Sequence, residues 1–111
     1  MSANAMVQGQ VIPLGVGTDY AHSAVAVEAA STPVVEAHPH RVTLTLQNIS
    51  AGDMWLNLAG AAAVVGEGVR LASGATLSMG IADFDLTRTA VQAIRAAGAG
   101  TFTLLVSEGT V

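Results

Sequence analysis

Few residues in this chain carry groups that do chemistry, and their spacing is the first thing to weigh. His38-Pro39-His40 places two imidazoles at i and i+2, which project to one side of an extended segment, with Glu36 on the same side. Such a trio could contribute metal ligands. A closed zinc site needs four, however, and nothing nearby in the sequence completes the set unless a symmetry axis supplies copies. Asp83-Phe84-Asp85 similarly offers two carboxylates to a hard cation, with Asp53 a further candidate, but without the dense oxygen spacing of a calcium loop. Solvated loops account for both features, and no metal or cofactor is expected.

Nucleophilic catalysis has no better footing. The chain has Ser and Thr hydroxyls and three histidines but no G-x-S-x-G elbow, and with no cysteine there is no thiol nucleophile, zinc-thiolate site or disulfide framework. Gly15, Gly17, Gly66 and Gly68 do not open a helix after a strand, as a phosphate loop would. These residues point away from an enzyme.

Composition narrows the class further. The chain has 111 residues, enough for one domain, and is 51% apolar but only 11% charged and 4% aromatic. Ordinary soluble domains carry roughly 25% charged residues. There is no lysine; Arg41, Arg70, Arg88 and Arg95 face eight carboxylates, giving a formal charge of −4. Four scattered arginines on an acidic chain make no phosphate-neutralising footprint, so nucleic acid is not expected as a partner, and no polybasic segment addresses an anionic membrane. No apolar run is long enough to span a bilayer, and the N-terminus lacks the pattern of a secretion signal. A surface this poor in charge fits a domain whose faces are covered by neighbours.

The elements that would position any site read as strands. Arg41 to Asn48 alternates, with Val42, Leu44 and Leu46 on one side and Thr43, Thr45 and Gln47 on the other. Turn residues at Asn48 to Asp53 then lead to a second strand, Met54 to Leu58, and the pair reads most simply as a hairpin. His22 to Glu28, Val69 to Ala72, Ala75 to Met79, Ala90 to Arg95 and Thr101 to Ser107 add five more short strands. The competing reading over Thr87 to Ala97 is a helix. Gly60 to Gly68 is an Ala/Gly-rich stretch that would pack closely against another backbone. The expected fold is all-β: a single antiparallel β-sandwich or barrel of about seven short strands over residues 22–111, preceded by an extended N-terminal arm over residues 1–21.

Two features look like contact surface rather than core. The arm is unusually apolar, with Val11, Ile12 and Leu14 prominent, and either docks on a neighbouring subunit or adds a strand to its own sheet. Trp55, the lone tryptophan, alternates with Met54, Leu56 and Leu58. It faces outward as an interface anchor or sugar platform if the aliphatic side is the core, and fills the core otherwise. Arg41, opening an edge-like strand, is placed to pair with a neighbour's carboxylate.

The order of these segments resembles a class of small structural proteins encoded in tailed-bacteriophage morphogenesis clusters. The resemblance is carried by Arg41-Val-Thr-Leu44-Thr-Leu46-Gln-Asn48, Trp55-Leu-Asn57, Gly68-Val-Arg-Leu71 with Ser73-Gly74-Ala-Thr-Leu77, Ala90-Val-Gln-Ala-Ile94, and Thr101-Phe-Thr-Leu-Leu-Val106-Ser-Glu108-Gly109. It covers residues 41 to 109 and consists of strand and turn residues. It implies a virion component, a capsid decoration (cement) protein on the outer surface of the phage head, contacting the major capsid protein or other virion subunits and forming a homo-oligomer, with a trimer favoured. A neck, tail or fibre-base protein, or a glycan-binding fibre module, is the alternative it leaves open. Assembly in the host cytoplasm and residence on the particle surface follow from the same resemblance.

Overall fold

The computed structural model describes residues 19–83, 86–98 and 102–111. Eight strands run in chain order: β1 (Asp19–Ala26), β2 (Thr32–Val35), β3 (Arg41–Asn48), β4 (Met54–Asn57), β5 (Val69–Leu71), β6 (Thr76–Gly80), β7 (Val91–Arg95) and β8 (Thr103–Thr110), with one 3₁₀ turn at Ile81–Asp83. They form two four-stranded sheets, here sheet A in the order β1-β8-β3-β6 and sheet B in the order β2-β7-β4-β5. Every ladder is antiparallel.

The pairs β1·β8, β2·β7, β3·β6 and β4·β5 are the rungs of one long hairpin whose midpoint is the β4–β5 connection. That hairpin is rolled, so its rungs alternate between the two sheets, and β8·β3 and β7·β4 contacts seal each sheet. This is the wrapping of a jelly roll, a double-sheet solution that buries one face of each sheet against the other. The expectation of an antiparallel sandwich holds.

Alternation explains which face is buried. Leu44, Leu46 and Asn48 on β3, Met54 and Leu56 on β4, Val91 and Ala93 on β7, and Leu104 and Val106 on β8 all point inward, and none is more than 5% exposed. The core is therefore mainly aliphatic, with Phe102 capping one end beneath the Arg95 guanidinium, 5.2 Å from the ring centroid. Aliphatic filling of a thin inter-sheet space accounts for the low aromatic content.

The strand expected over Ala90 to Arg95 is observed as β7, against the competing helix over Thr87 to Ala97, because Val91 and Ala93 are needed on the buried face of sheet B. Two expectations change. The segments 41–48 and 54–58 are not a hairpin. β3 lies in sheet A and β4 in sheet B, so the turn at Asn48 to Asp53 carries the chain across the sandwich, as does Ser73-Gly74 between β5 and β6. The true hairpin joins β4 to β5 through the Ala/Gly-rich loop. Gly68 ends that loop at φ +82°, where a side chain would collide with the Leu56 carbonyl. Finally, residues 19–21 belong to β1, so the sandwich begins three residues earlier than the boundary at residue 22.

β2 is the strand that alternation misses. Its sequence TPVV holds a proline and two adjacent buried valines, because a bulge between Pro33 and Val35 turns both Val34 and Val35 inward.

Candidate interaction surface

Arg41 is the best-anchored polar side chain in the molecule. It is fully buried, and its Nε donates to Glu108 Oε2 at 2.6 Å. Nη1 donates to the carbonyls of Thr87 (2.9 Å) and Thr89 (3.0 Å), and Nη2 donates to the Glu36 carbonyl. One guanidinium thus ties β8, the β2–β3 loop and the β6–β7 loop to the start of β3. Arg41 and Leu44 stand at i and i+3, which in a regular strand would put them on opposite faces. The bulge between Arg41 and Thr43 absorbs the extra residue and turns both inward.

This corrects the reading of Arg41 as an interface residue. β3 lies between β8 and β6 rather than at an edge, and the guanidinium is committed to its own chain.

Asn48 does the same work at the other end of β3. Its Nδ2 donates to the Gly52 and Leu71 carbonyls (2.8 and 2.9 Å), and its Oδ1 accepts from Ser50 N (2.9 Å). Arg41, Leu44, Leu46 and Asn48 are therefore one continuous inward face, with apolar residues in the middle and a polar clamp at each end.

The outer faces are where contact with other molecules can occur. On sheet A the outward side chains form three rows, each crossing all four strands: Tyr20, Gly109, Thr43 and Gly80; His22, Ser107, Thr45 and Ser78; Ala24, Leu105, Gln47 and Thr76. No row contains Asp, Glu, Lys or Arg. Hydroxyls pair locally, with Ser107 Oγ 2.7 Å from His22 Nδ1 and Thr45 Oγ1 3.5 Å from Ser78 Oγ. Tyr20 and Thr43 close over Gly109, which is buried and leaves no space for a side chain. Gly109→Val is expected to destabilise the fold by about 1–3 kcal/mol through overpacking, read as a lowered denaturation midpoint; an unchanged midpoint would show that the Tyr20–Thr43 cover yields freely.

Trp55 lies on the outer face of sheet B. Met54 and Leu56 take the core, leaving Trp55 half-buried between Ile94 of β7 and Arg70 of β5. Of the two orientations open to Trp55 in the sequence, the outward one is observed. Arg70 is held there by Asp53, whose Oδ2 accepts from Nη2 at 2.7 Å and Nε at 2.9 Å. Beside Trp55, the β4–β5 loop reaches across this face: Ala63 N donates to Ser31 Oγ, which itself donates to Gln92 Oε1. The tip of the loop presents Val64 and Val65 to solvent, each about half exposed.

The hydrogen bonds from Arg70 hold the Asp53 carboxyl below its ordinary pKa; desolvation opposes them, and a lesser lowering comes from the Ser73 backbone N–H and the charge of Arg70. A depressed folded-state value means that the linked stabilisation is present above the unfolded pKa and fades as pH falls through the folded one. Arg70→Ala should return the Asp53 titration, followed by NMR, upward toward the usual carboxylate range. A titration that does not move would assign the shift elsewhere.

The remaining chemical candidates are not assembled into a site. Glu36 to His40 is a loop and turn rather than a strand, so the same-side argument for the two imidazoles does not apply. His38 Nδ1 instead accepts from His40 N at 3.1 Å, and the rings meet edge-on with centroids 6.1 Å apart. Among the described residues no three His, Asp or Glu side chains converge as a metal site. Phe84 and Asp85 lie outside the described residues, as do Val11, Ile12 and Leu14. Among the described residues no helix is long and apolar enough to cross a membrane.

The sequence matches no protein-family model and no curated protein. One solved structure, "Bacillus endospore appendages form a novel family of disulfide-linked pili", is similar in fold. The two share 13% identity at a TM-score of 0.53, over 100% of this chain and 96% of that one. At that identity the likeness is one of architecture, the two-sheet antiparallel β-fold built above.

Proposed function

We propose that this protein is a structural subunit of a repetitive protein assembly, specifically an accessory protein on the outer surface of a tailed-phage head that stabilises the shell by bridging capsid subunits. The observation that supports it most is the outer face of sheet A. A sheet face left in water normally carries alternating polar and charged residues. This one spans four strands without a formal charge. Packing such a face against another protein desolvates no ions, which is the main penalty charged surfaces pay at the centre of an interface.

The endospore appendage structure lends support of a general kind, because a pilus is a structural assembly and its protein has a similar fold. Disulfide linkage has no counterpart here, since the chain has no cysteine. Copies of this chain therefore cannot be joined by disulfides.

The test is co-sedimentation of the purified chain with preformed shells. Wild-type protein should pellet with them and raise their thermal resistance. Thr45→Glu, which puts a carboxylate in the middle of the uncharged face, should weaken binding more than about tenfold while leaving the denaturation midpoint nearly unchanged. A chain that ignores shells, or binds equally well with the added charge, would overturn the reading.

A glycan-binding fibre module is the second reading, favoured by Trp55 alone, whose ring sits on an outer face beside polar Asn57 and Arg70. It predicts that Trp55→Ala abolishes retention on a sugar array and spares shell binding.

A further inference from the structure

The two sheets do not close evenly. Where β1 edges sheet A and β2 edges sheet B, a cleft of about 260 Å³ opens between them. Its floor is apolar, made by Val34, Val35 and Val106, and the β1 side chains over it, Ala21 and Ser23, are too small to fill the space. Its rim is polar, with Ser23, Glu36, His38 and Glu108 all lining it. Ala21, Ser23, Glu36 and Ala37 are exposed, so the mouth is open. The volume falls below the roughly 300–1,000 Å³ of a small-molecule site. It suits one long side chain.

The charges at the rim are not equivalent. Glu108 is answered from within the fold, its Oε2 accepting from Arg41 Nε at 2.6 Å. His40 N donates to His38 Nδ1 at 3.1 Å, which requires that ring nitrogen to be unprotonated, so the imidazole carries no charge in this arrangement. Glu36 is different. Among the described residues its carboxylate has no ion pair and no hydrogen bond. The other arginines are engaged elsewhere: Arg70 with Asp53, Arg88 Nε with the Arg41 carbonyl, and Arg95 Nη1 with the Gly98 carbonyl. The cleft therefore holds one uncompensated negative charge above an apolar floor.

The wall that carries this charge is fixed in advance. Arg41 Nη2 donates to the Glu36 carbonyl, and His38 N donates to the Arg88 carbonyl at 3.0 Å. A partner therefore spends little on ordering that backbone. The match is a lysine side chain, whose four-carbon stem lies along the valines while its ammonium, a compact charge with three donors, meets the Glu36 carboxylate and the Ser23 hydroxyl. This chain has no lysine, so the side chain comes from another protein.

We propose that the β1–β2 cleft receives a lysine side chain of the shell protein, with its ammonium on Glu36. This rests on the reading of the protein as a shell-binding subunit and names a contact by which it binds. The cleft is continuous with the face assigned to the shell: β1 gives Tyr20, His22 and Ala24 to the outer face of sheet A, and Ala21 and Ser23, between them in sequence, to the cleft. One neighbour can cover both. The uncharged face does not select a partner by charge, and Glu36 beside it does.

The absence of lysine makes the test direct. Wild-type chain bound to preformed shells is treated with a carbodiimide, which joins a carboxylate to a touching amine with loss of one water, and the joined peptides are identified by mass spectrometry. The proposal predicts Glu36 linked to a shell lysine. Such a product can only form between proteins, since the chain's own amine is confined to its N-terminus. Glu36→Gln should abolish the product and weaken shell binding about two- to fivefold. Ala21→Leu, which fills the cleft from an exposed position, should weaken it further while the denaturation midpoint stays near that of wild type. Shells that pellet the chain while Glu36 joins no lysine, or joins only a terminal amine of this chain, would overturn the proposal, as would unchanged binding by both variants. A chain that does not pellet with shells overturns the shell-binding reading itself, so the two failures are told apart by the pellet.

Discussion

Arg41→Ala is expected to cost about 3–5 kcal/mol of folding stability, because it leaves the Glu108 carboxylate without its cation in a largely desolvated site. The carbonyls of Glu36, Thr87 and Thr89 lose their donor in the same step, and each buried acceptor left bare adds its own desolvation cost. Domains of this size are stable by only about 5–15 kcal/mol, so the variant should show a much lower urea midpoint. Arg41→Lys should recover little, since one ammonium cannot serve four acceptors spread around a planar fork. Glu108→Gln keeps an acceptor for Nε and should cost less than half as much. If Arg41→Ala unfolds at the wild-type midpoint, the clamp is ornamental, and Arg41 would again be open to a role between subunits.

Asn48→Ala is the second large effect, expected at about 2–4 kcal/mol, from Gly52, Leu71 and Ser50 backbone groups losing their partner at a largely buried site. The loss falls at the end of the sandwich opposite Arg41. The two substitutions share no partner, so their effects should add. Asn48→Asp separates the contributions: its oxygen can still accept from Ser50 N, but it cannot donate to two carbonyls, and a buried carboxylate beside them is unfavourable. It should therefore be at least as damaging as Asn48→Ala. A milder Asn48→Asp would mean that the site is open to water.

These two residues also show how far the sequence could be read. Alternation in β3 identified the strand and the inward Leu44 and Leu46, because a period of two is a local property of the backbone, but it left both orientations of Trp55 open. Arg41 was misplaced because its inward position depends on a bulge at Val42, which shows itself only in pairing with β8. β2 was hidden for the same reason: a bulge at Pro33–Val35 breaks the alternation that reveals other strands. The supposed hairpin at Asn48–Asp53 was not decidable locally, since the same turn residues reverse a chain within a sheet or carry it across a sandwich. Which outer face lacks charge became visible only with the register of four strands, because its rows collect residues from Tyr20 to Gly109.

The low charge of the chain then acquires a location. Arg41 and Glu108 are turned inward against each other, Arg70 and Asp53 pair beside Trp55, and Arg95 covers Phe102. What remains on sheet A is a hydroxyl-rich face without formal charge, a surface suited to a protein neighbour.

The measurement that bears most directly on the account is the copy number of this chain in purified particles, obtained by quantitative mass spectrometry against the major capsid protein. A surface protein bridging capsid subunits should be present on the order of hundreds of copies, in fixed ratio to the shell lattice. A count in single figures or about a dozen would place it at a neck, tail or fibre base, and absence from particles would contradict the proposed function outright.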